Sequence, residues 1–258
     1  VTSDATQQTV LVGDVSGEDG SKEVTYERTE LRDVIRRATF VLFDFDGPIC
    51  RLFPGDSARD IGREQLLWLE SKGRLDVLTR TEQRRLDPHA ALAKVGGLPQ
   101  HGALARQMEK RLAEDELQAV HSAFPTPYAD PVIRTWQAVG ARLAVATNNS
   151  PEAVRRYLAG RGLSGCFEPH IYGRTQELEL LKPDPHCLNR ALRGLEADAS
   201  DALMVGDTVS DFTAARAAGV PFLGYARGSA EAADLTAAGA RHVVGSLEEV
   251  LAILRDRA

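Results

Sequence analysis

The run Thr39-Phe-Val-Leu-Phe-Asp-Phe45 is apolar on both alternating faces and leads straight into Asp46-Gly47. A strand buried on both faces belongs in the middle of a parallel sheet, covered by helices front and back. Four further runs resemble it, at Arg142–Thr147, Ala202–Gly206, Phe222–Tyr225 and His242–Val244, with a weaker one at Pro169–Tyr172. Helical patterns lie between them, at roughly 130–139, 151–161, 186–195, 209–218, 230–238 and 247–256. Ser150-Pro151 and Ser246-Leu247-Glu248-Glu249 read as helix starts, Gly219 and Gly239 as helix ends. Strands and helices alternating at this spacing predict an α/β fold, a doubly wound parallel sheet of Rossmann-like type.

One stretch breaks the alternation. Residues 51–128 contain no strand-like run but carry helical patterns at Ala58–Glu70, Thr81–Lys94 and Leu104–Ala123, punctuated by Gly96-Gly-Leu-Pro99 and closed by Pro125-Thr-Pro127. A helical insert here can form a lid over the carboxyl ends of the strands, where doubly wound folds bind ligands. The expected division is a flexible acidic tail over 1–28, an α/β core made of 29–50 and 129–258, and a helical cap over 51–128. Within the tail, Thr9–Val12 is a weak strand candidate. Thr29 can cap a helix from Glu30 to Arg37.

Net charge is −6, which argues against a nucleic-acid binder needing a basic face. Most of it is local, because residues 1–30 hold seven acids and two bases. The three cysteines, Cys50, Cys166 and Cys187, lie far apart and show no C-x-x-C spacing, so neither a zinc site nor a disulfide framework is expected. No apolar run is long enough for a membrane span, and the N-terminus lacks a secretory pattern. The expected location is the cytoplasm.

The chemistry gathers at the ends of the runs. Strand alternation puts Asp44 and Asp46 on one side, a few ångströms apart. Two close carboxylates resist simultaneous ionisation, a cost that a bound cation would offset. Ala146-Thr147-Asn148-Asn149 ends the second run, and Val205-Gly206-Asp207-Thr-Val-Ser-Asp211 ends a later one. Lys182, in Leu181-Lys-Pro-Asp184, follows no clear strand. Taken singly, each has an ordinary reading as turn former, N-cap or surface lysine.

In order and content these four elements resemble the motifs of the haloacid dehalogenase-like superfamily, and in particular its capped phosphatases of the phosphoglycolate-phosphatase-like type. The resemblance runs from about Phe40 to Val244. It implies a Mg²⁺-dependent phosphatase acting on a small-molecule phosphate monoester, with Asp44 as nucleophile forming an aspartyl phosphate. Asp46 would be the general acid and base, while Thr147, the backbone of Asn148 and Lys182 would bind the phosphoryl group. Mg²⁺ would be held by Asp44, the backbone carbonyl of Asp46, and Asp207, with Asp211 behind them orienting Lys182 or a water. Pro48 departs from the superfamily pattern, which usually has Thr or Val there. The partner expected is a small phosphorylated metabolite, neither nucleic acid nor membrane.

Two alternatives stand beside this reading. A phosphotransferase or sugar-phosphate mutase on the same fold would use identical motifs. A degenerate member would bind a metabolite without catalysis. A dehalogenase is disfavoured because Asp46 is present. Cys50, Trp68 and Trp136 read as packing residues, and the histidines show no ligand spacing. One of Arg51 and Arg59, which flank Phe53 where the chain leaves for the insert, is a candidate contact for the substrate's non-phosphate end.

Overall fold

The computed structural model of the chain describes residues 30–55 and 57–256. The acidic tail, the Thr9–Val12 strand candidate and the expected Thr29 cap lie outside them. A helix over residues 30–37 (α1) leads into β1, Phe40–Phe43, the centre of a six-stranded parallel sheet. Beside β1 on one side lie β4 (Arg142–Ala146) and then β5 (Ile171–Tyr172). On the other lie β6 (Ala202–Gly206), β7 (Phe222–Tyr225) and β8 (Val243–Val244). Strand order therefore reverses at β1, and the crevice beyond its carboxyl end is the topological switch point of the sheet.

Side-chain alternation explains the layers. Val41, Phe43, Val145 and Val205 pack on one face with Trp136, Tyr157, Leu158 and Leu254. Leu42, Ala144, Ala146 and Met204 face the other way, onto Leu188, Leu192, Ala214 and Leu235. The helices supplying the first face are α6 (Ala129–Ala138), α7 (Pro151–Arg161), the short α8 (Ser164–Phe167) and α12 (Leu247–Arg255). Those supplying the second are α9 (His186–Leu195), α10 (Val209–Ala218) and α11 (Ser229–Ala238). Ser150 and Ser246 cap α7 and α12 through their hydroxyls, and Gly219 and Gly239 end α10 and α11 with positive φ.

Between β1 and α6 stand α2 (Ser57–Ser71), α3 (Arg80–Arg85), α4 (Pro88–Gly96) and α5 (Gly102–Ala119). They bury a separate apolar cluster, including Leu69, Leu92, Val95, Met108 and Leu112. Leu178 and Leu181, from the loop before Lys182, complete it. The sequence suggested one helix over Thr81–Lys94. Instead Leu86 turns to φ 53, Asp87 caps the backbone N–H groups of His89 and Ala90, and Pro88 starts a new helix. The expectation of no strand in 51–128 also needs correction. Cys50–Arg51 (β2) pairs antiparallel with Phe124–Pro125 (β3), closing the two ends of the helical insert.

Candidate active site

Each of the four polar elements sits just past a carboxyl end of the central strands or in the loop facing it. Beyond β1, the backbone N–H of Asp44 bonds Val205 O, continuing the ladder for one residue and bringing the Asp44 carboxylate to the crevice. The chain then turns through Gly47, whose φ is 117. A Cβ there would lie 2.2 Å from the Asp207 carboxylate, so only glycine lets the first loop approach the third acid this closely.

Lys182 is buried at the centre. Its ammonium lies 2.8 Å from Asp44 Oδ1 and 2.5 Å from Asp211 Oδ1, and donates to Ala146 O at 3.1 Å. Its position is fixed by Asn148, whose side-chain carbonyl accepts from Lys182 N at 2.7 Å while its amide donates to Lys182 O at 3.2 Å. Thus the loop after β4 holds the lysine loop in register, although no strand precedes Lys182. Asp211 has two duties. Oδ2 accepts from the backbone N–H groups of Asp207 and Thr208 at the start of α10, and Oδ1 meets the lysine.

Carboxylate oxygens of Asp44, Asp207 and Asp211 all lie within 4.8 Å of one another. Burial pushes the Asp44 carboxyl up, Lys182 opposes this, and Asp211 adds to it. Burial likewise drives Asp207 well above the ordinary range, reinforced by Asp211, Asp44 and Asp46. For Lys182, burial alone would favour the neutral amine, but Asp211 and Asp44 hold its pKa above the ordinary value. Two of the three acids, Asp44 and Asp211, thus share one ammonium. Asp207 Oδ1 is buried without a hydrogen-bond partner among the described residues, and Arg227 approaches the other oxygen only to 3.8 Å. A hard divalent cation fits this all-oxygen set and would offset the surplus negative charge.

Asp46 stands apart from that trio. Its Oδ1 accepts from Leu52 N at 2.8 Å, and burial raises its carboxyl to about 6 against the effect of that N–H. It lines a cavity of about 850 Å³ together with Asp44, Thr147, Asn148 and Lys182, and with Arg85, His89 and Lys94 from the helical insert. Asp211 lines it too, so among the candidate catalytic, phosphate-binding and acidic residues only Asp207 does not reach this cavity. Asp207 lines an adjoining one of about 550 Å³ with Asp46, Arg51, Phe53 and Arg227. Arg59 is exposed and lines neither.

Sequence reasoning missed Glu116, Arg174 and His89. Glu116 follows Ala105, Met108 and Leu112 on the buried stripe of α5, and an acid in an apolar stripe signals a buried partner. That partner is Arg174, whose Nη1 and Nη2 each donate to one carboxylate oxygen at 2.9 Å. Cys50 is buried packing, as expected. Trp136 meets Phe43 edge-on at 5.6 Å in the core, while Trp68 is only partly buried, with Lys72 and Arg111 beside its ring.

A family model for haloacid dehalogenase-like hydrolases matches residues 39–219, spanning Asp44 through Asp211. The chain belongs to the haloacid dehalogenase-like hydrolases. Among curated members, it is 38% identical over 115 residues to a plasmid-borne phosphoglycolate phosphatase of Cupriavidus necator, covering 45% of this chain and 49% of that one. It is 27% identical over 224 residues to the phosphoglycolate phosphatase of Nitrosospira multiformis, covering 83% and 95%. The chain spans about half the length of several curated relatives it matches, 49% and 52% in two cases. Its fold is similar to the crystal structure of a predicted phosphatase from Clostridium acetobutylicum, with a TM-score of 0.65, 18% identity, and coverage of 84% of this chain and 98% of that one. Within this family of hydrolases the acids beyond β1 and β6, Thr147 and Lys182 stand on one crevice.

Proposed function

We propose that this haloacid dehalogenase-like hydrolase is a Mg²⁺-dependent phosphatase that cleaves a phosphate monoester of a small metabolite. The observation that carries the reading is the Lys182 ammonium placed 2.8 Å from Asp44, beside Thr147 and a buried acidic trio. Mg²⁺, held by Asp44, the Asp46 backbone carbonyl and Asp207, would neutralise negative charge as the anionic ester meets an anionic nucleophile. Asp44 attacks phosphorus, forming an acyl phosphate as the ester P–O bond breaks. Asp46 gives its proton to the departing alkoxide. A carboxyl near 6 is protonated often enough for that task and basic enough afterwards to take a proton from water. That water attacks phosphorus, releasing inorganic phosphate and restoring Asp44. Lys182, Thr147 and the backbone N–H of Asn148 bind the phosphoryl oxygens.

The helical insert, with its own apolar cluster, is the proposed cap over residues 51–128, with 29–50 and 129–258 as the core. Its role is to shed bulk water and to limit the substrate to small esters. The relatives named as phosphoglycolate phosphatases make 2-phosphoglycolate the first ester to test. Among the described residues no helix is long and apolar enough to cross a membrane, and all three cysteines are free, as a reducing cytoplasm would keep them.

The test is phosphate release from a panel of phosphorylated metabolites, with Mg²⁺ and with chelator. Release that needs Mg²⁺ and is abolished by Asp44→Asn supports the proposal. Transfer to a second sugar phosphate without free phosphate would replace hydrolysis by phosphoryl transfer.

A further inference from the structure

The side chain of Glu116 lies wholly buried on α5, where five groups converge on it. Oε1 meets Asn149 Nδ2 at 3.0 Å, Arg174 Nη1 at 2.9 Å and His89 Nε2 at 2.9 Å. Oε2 accepts from Ser150 N and Arg174 Nη2, both at 2.9 Å. A carboxylate has about four lone-pair sites, so this one is saturated. Arg174 also donates to Asn148 O at 2.8 Å and to Glu109 Oε1 at 3.2 Å.

A simple staple between α5 and the sheet would need only Arg174. Two of the five contacts instead go to Asn149 and Ser150, in the loop that begins with Thr147. Asn149 links the two ends. Its Nδ2 is committed to Glu116, which can only accept, so its carbonyl must be the end that faces Thr147. That carbonyl accepts from the Thr147 hydroxyl at 2.9 Å, while Asn149 N donates back to Thr147 Oγ1 at 3.2 Å. The threonine hydroxyl is thereby held from both sides, in an environment where Thr147 is almost fully buried.

We infer that Glu116 is a positioning residue: through Asn149 it fixes the Thr147 hydroxyl, so that docking of α5 sets a phosphoryl-binding group of the core. The inference rests on the proposed reading of Asp44, Thr147 and Lys182 as a phosphoryl site. In this structure the single proton of the Thr147 hydroxyl goes to Asn149 Oδ1, so a phosphoryl oxygen takes that proton over when it binds, while Asn149 N keeps its hold on Oγ1. Removal of the Glu116 carboxylate leaves the Asn149 side chain, and with it this stretch of loop, free to turn. Thr147 then leaves its place.

Glu116→Gln tests the relay directly, but it also strips Arg174 of its charge partner and can unfold the chain. Asn149→Ala cuts the relay alone, since Glu116 keeps Arg174, Ser150 and His89. Steady-state phosphate release from the best ester, orthovanadate binding by calorimetry, and thermal midpoints should be measured for wild type, Asn149→Ala, Thr147→Val and the double variant. Asn149→Ala should lower kcat about 100-fold with little change in KM, the scale of an ångström-level misplacement. In the Thr147→Val background the same change should add almost nothing. An unchanged kcat in Asn149→Ala, or a double variant that loses the product of the two single effects, overturns the inference while leaving the phosphatase reading intact. A wild type that neither turns over any ester nor binds orthovanadate overturns both.

Discussion

Lys182 Nζ lies 2.8 Å from Asp44 Oδ1, and both residues are more than nine-tenths buried. An ammonium in that position lowers the cost of keeping a buried carboxylate charged, which an attacking nucleophile requires. Lys182→Met preserves length and removes the charge. It should cut kcat by at least ~100-fold. It should also destabilise the fold by about 3 kcal/mol or more, because Asp44 and Asp211 lose their shared cation. Initial rates and denaturant unfolding of the two proteins check both effects.

Gly47 is the second test. Its φ of 117 is a region that L-residues avoid, and a Cβ would collide with the Asp207 carboxylate at 2.2 Å. Gly47→Ala should cost about 1–3 kcal/mol of stability through backbone strain. Its distinct signature is a higher Mg²⁺ concentration for half-maximal rate, because the displaced acid is a proposed metal ligand. A variant with an unchanged Mg²⁺ requirement would show that Asp207 does not hold the ion.

Acid stability should report on Glu116. Burial alone would raise its carboxyl, but the His89 hydrogen bond and the Arg174 guanidinium outweigh burial and bring it to about 2, from an ordinary 4.5. A depressed folded-state pKa contributes stability that is fully present above about 4.5 and is lost as pH falls toward 2. The full effect is roughly 3 kcal/mol. Unfolding free energy measured at pH 6.5 and 3.5 should therefore fall more steeply in wild type than in Glu116→Gln. Parallel slopes would contradict the assignment.

The core offers a prediction independent of chemistry. Trp136 is fully buried against Phe43, so Trp136→Ala should cost about 3–5 kcal/mol. Under conditions where the variant stays folded, its KM should match wild type.

How far the sequence could be read depended on the range of the signal. The strands Ala202–Gly206 and Phe222–Tyr225 end where their apolar runs end, because a buried parallel strand writes its limits locally. Asp44, Thr147 and Asp207 were legible for the same reason, each standing just after such a run. The Leu86 break was missed because apolar periodicity continued across it, although Asp87-Pro88 is a sound helix start. Strands β2 and β3 are two residues each, too short to show alternation. The place of Glu116 on the buried stripe of α5 signals a partner without saying which, and Arg174, 58 positions away, carries no local mark of it. Only the packing of α5 against the loops after β4 and β5 brings them together.

The central claim is that Asp44 carries the phosphoryl group during turnover. Acyl phosphates are reduced by borohydride, which would convert that aspartate to homoserine. Wild-type protein should be quenched during steady turnover with its best ester and Mg²⁺, reduced, and mapped by peptide mass spectrometry. The account predicts homoserine at position 44, dependent on both ester and Mg²⁺. Rapid phosphate release with Asp44 unmodified, or a phosphoryl adduct on another residue, would contradict it.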